Sequence, residues 1–281
     1  MERLIDNISA FLHSEGFSCS RRMWNGIEII SVSMDGSEDR FILPMEISAE
    51  NMDEARVISE QIVSILTASD IYPLIVTQDR WNAHQGMMKA RILAHLEIFK
   101  PIYARNCEIR RIDKTTAREF LENNHSYGHA SCRHCYGMFL KRHTGHVAQS
   151  ASTPPGTLVA VATFSNARKW AKGDKTIRSY EWTRYASLAD IRVSGGMGRM
   201  LKTFIDDIQP DDIMSYADLE WSAGEVYAQL GFQLEGRKDP VMFGIDTQTW
   251  ERYPTRVETT WNRYFQNFGS NKYRLKLTDY K

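Results

Sequence analysis

The sequence predicts an α/β protein in two parts: a small N-terminal α/β unit over residues 1–106, then a mixed-sheet domain over residues 107–281. Helix-period apolar stripes alternate with short β-formed runs along both parts. A glycine cluster, Gly195, Gly196 and Gly198, separates one such run from a strongly periodic helix, an arrangement in which backbone N–H groups can face an anion. With 281 residues, 42% of them hydrophobic and 25% charged, the chain can bury a substantial core. Disorder is excluded on the same grounds.

In the first part, Leu4, Ile5, Ile8, Phe11 and Leu12 form a helical stripe that Gly16 stops. Gly26 to Met34 alternates as a strand, Asp35-Gly36 turns it, and Arg40 to Leu43 pairs back until Pro44. Asn51 and Glu54 have capping-box spacing ahead of Ala55, Ile58, Ile62, Ile65 and Leu66. Ile71 to Val76 is a further short strand, and His84 and Gly86 precede a helical pattern through Met88, Ile92, His95 and Leu96. No paired-carboxylate nuclease constellation stands out here.

The second part opens with a strand at Cys107 to Ile112 and a helix marked by Thr116, Ala117, Phe120 and Leu121. Tyr136 to Leu140, Leu158 to Phe164 and Tyr180 to Tyr185 read as strands. Ser150 to Gly156 is a polar loop, and Arg168, Lys169, Lys172, Lys175 and Arg178 belong to a basic one. Met200, Leu201, Phe204, Ile205 and Ile208 recur at helical spacing until Pro210. Ile213 to Ala217 is a short strand ending at Asp218, and Ala223, Val226, Tyr227 and Leu230 mark one face of a helix closed by Gly231.

GGMGRML followed by SYADLEWSAGEVYAQLGF resembles the acyl-CoA-binding half of the GNAT acyltransferase fold. The usual fingerprint there is Gln or Arg, two residues, Gly, any residue, Gly or Ala. Gly196 and Gly198 fit it, while Val193 takes the leading position and Arg192 comes one place early. Ala223, Tyr227, Gly231 and Phe232 match AxxxYxxLGF. The resemblance implies acetyl-CoA or another acyl-CoA as cofactor, contacted by Val193, Gly195, Gly196, Met197, Gly198 and Arg199.

Acyl transfer from a thioester needs an anion cradle, a base for the attacking amine and an acid for the departing thiolate. Glu181 or Asp218 is the candidate base, with pairing to Arg184 or Arg178 as the alternative use of either carboxylate. Tyr227 is the candidate acid or else a core aromatic; His125 orients the acceptor, acts as base or caps a helix. Over residues 112–245 the chain is similar to Mom-type phage enzymes, GNAT relatives that modify adenine in DNA. A polar cluster there corresponds to His125, Glu181, Asp218 and Tyr227 and implies a nucleobase acceptor.

The run from Thr77 to Gly128 resembles the junction in phage proteins related to Vsr-like homing endonucleases, where a nuclease-derived part meets a GNAT-like one. Asp79, Trp81, Lys89, Arg91, Ile92, Tyr103, Ala104, Arg105, Cys107 and Glu108 carry it. No metal-binding nuclease core is recognisable upstream, so the N-terminal unit is expected to be a recognition or packing module.

Cys132 and Cys135, with His143 and His146, are candidate zinc ligands. Reduced cysteines beside loop histidines, or a mixed site using His129 or His134, fit the same spacing. Formal net charge is zero, but residues 1–110 hold 11 Lys and Arg against 16 Asp and Glu, and residues 111–281 hold 24 against 19. DNA or RNA contact is therefore sought in the second part, and in the segment that mixes Trp250, Tyr253, Trp261, Tyr264, Phe265, Phe268 and Tyr273 with Arg256, Arg263, Lys272, Arg274 and Lys276. Packing is that segment's other use. With no signal peptide or membrane-length apolar run, a cytoplasmic protein is expected. The main alternative to an amine acyltransferase is a non-catalytic nucleic-acid-binding or interaction protein of phage or mobile-element origin.

Overall fold

The computed structural model describes residues 3–34, 38–69, 71–141, 153–255 and 260–280. Two compact units emerge, each discontinuous in sequence: unit 1 is Met1–Ile98, Ala217–Ala223 and Arg237–Asn271, and unit 2 is Phe99–Tyr216, Gly224–Gly236 and Lys272–Lys281. The division thus differs from a single cut after Asn106. No described helix is long and apolar enough to cross a membrane.

Unit 1 begins with α1 (Leu4–Ser14), β1 (Cys19–Trp24), β2 (Ile27–Val32), β3 (Arg40–Met45), α2 (Met52–Ala68), β4 (Leu74–Thr77), α3 (Gln78–Ala83) and α4 (Gln85–His95). Its sheet runs β1-β2-β3-β4, antiparallel except for the parallel β3–β4 pair. Because strand side chains alternate between faces, Ile30, Val32, Ile42, Leu74 and Val76 join Leu4, Ile8, Leu12, Met88 and Ile92 in one core. Ile29, Leu43, Met45 and Ile75 join Ile62, Phe243, Ile245, Phe265 and Phe268 in another. Pro44 stays within β3, opposite Val76, instead of ending it. Pairing to β2 stops at Ile42, so the missing N–H breaks no bond on that side. The expected turn at Asp35-Gly36 lies outside the described residues.

At the start of α2, Asn51 Oδ1 accepts from Glu54 N at 2.9 Å, and the Glu54 carboxylate accepts from Glu50 N at 2.8 Å. Asn51→Ala should therefore cost about 1 kcal/mol in urea unfolding. An unchanged midpoint would show that packing alone fixes this helix start.

The chain continues through β5 (Lys100–Tyr103), β6 (Cys107–Arg111), α5 (Lys114–Asn124), β7 (His134–Leu140), β8 (Leu158–Phe164), β9 (Arg168–Lys172), β10 (Lys175–Ser187) and β11 (Ile191–Ser194). After these come α6 (Gly196–Ile208), β12 (Asp212–Asp218), α7 (Glu225–Gln229), β13 (Gln233–Lys238), β14 (Met242–Ile245), β15 (Arg252–Pro254), β16 (Arg263–Gln266) and β17 (Ser270–Lys276). The large sheet is ordered β13-β17-β12-β10-β8-β7-β6, with β9 beside β10; β5 and β11 form a separate parallel pair. The basic stretch at residues 168–178 is thus a hairpin between β9 and β10, not a loop. β14 to β16 form a small antiparallel sheet in unit 1.

Phe204 anchors α6 to the sheet. Its ring stacks on Phe164 at 3.8 Å and meets Tyr136 and Tyr180 edge-on. On the opposite face, Ala117, Phe120 and Leu121 of α5 pack with Cys135, Val161 and Ala186. The core of unit 2 therefore has two layers, and α6 and β10 between them set the site.

Candidate active site

β10 and β12 are parallel neighbours paired only at Ser179 with Asp212, Tyr180 with Ile213 and Glu181 with Met214. β10 continues to Ser187 and β12 to Asp218, so both strands run on beyond their last pair. Ser215 stands just past the last pair, and its hydroxyl reaches the Trp182 carbonyl at 3.0 Å and Tyr227 Oη at 2.9 Å.

At the start of α6, Gly195 has φ of 74° and caps the helix in the left-handed conformation that glycine adopts without strain. The first N–H of the helix to find a backbone acceptor within it is that of Arg199, on Gly195 O at 3.1 Å. Among the described residues the N–H groups of Gly195, Gly196, Met197 and Gly198 bond to no protein acceptor, the usual state of the first donors of a helix. Gly196 is glycine for a packing reason as well: a Cβ there would lie 2.6 Å from the Tyr185 hydroxyl and 3.1 Å from Val193. At Gly198 a Cβ would meet Leu230 at 3.3 Å.

Two of the expected cofactor contacts are placed otherwise. Arg199 spends its N–H inside the helix and its guanidinium on the carbonyls of Ala104 and Cys107. Val193 is buried in β11 opposite Ile102 and forms the floor under Gly196. Arg192, one place early in the fingerprint, lies over the Phe99 ring at 5.1 Å.

Tyr227 is wedged among aromatics, stacked on Tyr273 at 5.4 Å and edge-on to Trp182 and Phe232. Burial raises its pKa, opposed by the hydrogen bond from Ser215 and the nearby Arg184. Ser215 has a single hydroxyl proton to share between the Trp182 carbonyl, which can only accept, and Tyr227 Oη, so the phenol accepts from Ser215 or donates to it according to where that proton lies.

Glu181 lies on β10 at the point of parting, where its N–H donates to Ser165 Oγ. Neither pairing alternative holds for its carboxylate, which makes no ion pair among the described residues. Arg178 faces Asp211, and Arg184 donates to the carbonyls of Gly128 and Thr183. Glu181 nevertheless acts on Arg184: burial lowers the Arg184 pKa, and Glu181 is the largest opposing influence. A β-bulge explains its aim, because Trp182 pairs with Phe164 and Arg184 with Thr163, leaving Thr183 as the extra residue. The sequence carries no signal for that bulge.

His125 ends α5, and its Nδ1 accepts from Tyr127 N at 3.1 Å while its carbonyl accepts from Gly128 N at 2.7 Å. That turn presents the Gly128 carbonyl to Arg184, so His125 shapes the loop beside Glu181. Asp218 ends β12 as expected, but it belongs to unit 1, where Oδ1 accepts from Glu220 N at 2.9 Å and the carboxylate influences Arg91.

Cys132 and Cys135 face one another at 3.4 Å, and burial pushes the Cys135 thiol up to about 12. His143 and His146 lie outside the described residues. His134 is excluded from a mixed site by strand alternation, since its ring packs on Phe204 while Cys135 joins the α5 face. Among the described residues no group of three or more His, Cys, Asp or Glu gathers as a metal site.

Of the aromatic and basic C-terminal segment, Phe265, Phe268 and Tyr273 are buried and Tyr253 is exposed. Arg274 pairs with Asp212 and Glu235, Lys272 with Glu235 and Arg263 with Glu50, so these cations already have carboxylate partners. Arg256 lies outside the described residues.

No family model matches the sequence, and no curated protein matches it. Among solved structures the chain is similar to the NatC complex bound to Gag peptide and CoA, at 13% identity over 62% of this chain and 99% of that one, TM-score 0.37. Ribosomal-protein-S5-alanine acetyltransferase from Vibrio fischeri aligns at 11% identity over 63% and 96%, TM-score 0.36. Histone acetyltransferase HPA2 and related acetyltransferase from Corynebacterium glutamicum aligns at 12% over 83% and 97%, TM-score 0.31.

Proposed function

We propose that unit 2 is a CoA-dependent N-acyltransferase of GNAT-like architecture. The observation that carries this reading is the end of β10–β12 pairing beyond Glu181 and Met214, where the Ser215 hydroxyl lies between the Trp182 carbonyl and Tyr227 Oη. A thioester donor supplies an activated acyl carbon and a thiolate leaving group. The N–H groups of Gly195 to Gly198 hold the donor's pyrophosphate. Glu181 takes the proton of the attacking amine, and Arg184 steadies the carboxylate that does so. Tyr227 gives its proton to the departing sulfur, while Ser215 fixes the orientation of the phenol. His125 shapes the acceptor side through the loop it closes. Asp218 is the weaker candidate base, because its carboxylate already serves a turn in unit 1.

The acceptor is an amine, and the Mom-type resemblance makes the exocyclic amine of a nucleobase the first to assay. Calorimetry with acetyl-CoA should give one site per chain. Gly198→Asp, which sets a carboxylate among the four donors, should weaken that site by about tenfold or more through like-charge repulsion. Wild-type protein that binds no CoA would overturn the reading in favour of the alternative, a non-catalytic nucleic-acid-binding or interaction protein. Mass spectrometry of amines and oligonucleotides incubated with acetyl-CoA identifies the acceptor class.

A further inference from the structure

Unit 1 contains a cluster of charged side chains that the proposed chemistry does not use. Arg252 lies at its centre, donating from Nη1 and Nη2 to Glu220 at 2.8 and 3.0 Å and from Nε and Nη2 to Asp79, with Thr77 Oγ1 also accepting. Both carboxylates are thereby committed. Arg80 Nε lies 3.7 Å from Glu220, and the Arg80 guanidinium is 5.3 Å from the centre of the Trp221 indole.

Arg91 is unlike these. Its guanidinium carbon lies 4.0 Å from the Trp221 ring, yet among the described residues no hydrogen bond or ion pair engages it, and its Nε is sealed from solvent without a partner. The Trp221 indole N–H, on the ring that Arg91 covers, is likewise sealed and unpaired. Deep surroundings lower the Arg91 pKa to about 10, and the repulsion from Arg80 outweighs the attraction of Asp218. Part of Arg91 nevertheless remains accessible, as does part of Trp221. A cation in that position is costly unless something accepts its hydrogen bonds.

Arg91 Nη1 and Nη2 are not sealed in the same way, and a guanidinium brings only donors, so what completes it must bring acceptors. Asp79 and Glu220 are taken by Arg252, and Asp218 spends Oδ1 on the Glu220 amide. We propose that Arg91 and Trp221, with Arg80 alongside, form a binding site in unit 1 for a small oxyanion of the phosphate class. A planar guanidinium backed by an indole face gives such an anion a forked donor of fixed orientation. This site is separate from the α6 cradle and does not rest on acyltransferase activity in unit 2.

The experiment is a titration of the full chain with inorganic phosphate against chloride at matched ionic strength, read by calorimetry and thermal unfolding. The comparison is with Arg91→Met, which keeps an unbranched apolar stem about as far as Nε, removes the guanidinium and leaves Gly195–Gly198 untouched. Wild type should show a saturable phosphate response that chloride does not give, and Arg91→Met should weaken it at least about tenfold. In phosphate-free buffer the variant should melt no lower than wild type, because it removes a cation whose burial no hydrogen bond or ion pair among the described residues offsets. No saturable response, or an equal one in both proteins, overturns the proposal. If Arg91→Met does not fold, Arg91→Lys decides: it keeps a cation and loses the planar fork, and wild-type phosphate affinity in that protein rejects the site.

Discussion

Tyr227→Phe should lower turnover roughly a hundredfold or more, in the range found for removal of a general acid, while CoA affinity and melting temperature stay close to wild type. Phenylalanine keeps the ring against Tyr273, Trp182 and Phe232 and removes only the hydroxyl that meets Ser215. The pH profile gives a second reading. Burial raises the Tyr227 pKa above the usual phenol value, so the acid remains protonated through neutral pH and its contribution is lost as pH rises through the raised value. The alkaline fall in rate should therefore lie above the ordinary phenol range and disappear in the variant. Glu181→Gln should act at the other end, removing the rising acidic limb. If Tyr227→Phe turns over at the wild-type rate, the tyrosine is a core residue and the acid must be sought elsewhere.

Arg252→Ala should destabilise unit 1 by about 3–5 kcal/mol, because it leaves Asp79 and Glu220 buried without their cation. The side chains concerned are 8%, 1% and 2% exposed, which leaves water little room to substitute. Arg263→Ala is the control. Its partner Glu50 is 71% exposed, and an ion pair so open to solvent contributes little. Equal melting of the two variants would show that the buried network adds nothing beyond a surface pair.

The comparison of sequence with structure turns on the range of the forces involved. α1, α2 and α6 are legible because their stripes repeat every three or four residues. The β8 run Leu158–Phe164 is legible because it is apolar throughout except for Thr163. The glycine-led start of α6 and the glycine after α7 follow from backbone conformations that other residues reach only with strain, and both have positive φ, at Gly195 and Gly231. Tyr227 and Glu181 could be named as candidates because their residue types suit acid and base chemistry.

What a linear reading does not contain is which partner each carboxylate and each strand end will find. Asp218 lies only three residues beyond Ser215, yet its neighbours are in unit 1, where segment 217–223 is held by contacts with residues distant in sequence. Arg237–Asn271 joins the same unit because the apolar faces of β14 and β16 complete the core begun by Ile29 and Leu43. The bulge that aims Arg184 is a mismatch between β10 and β8, so it belongs to the pair of strands and to neither sequence alone. Local periodicity and residue chemistry thus determined the elements and the candidate groups. Long-range pairing and burial, which only the folded chain supplies, decided which of those groups meet.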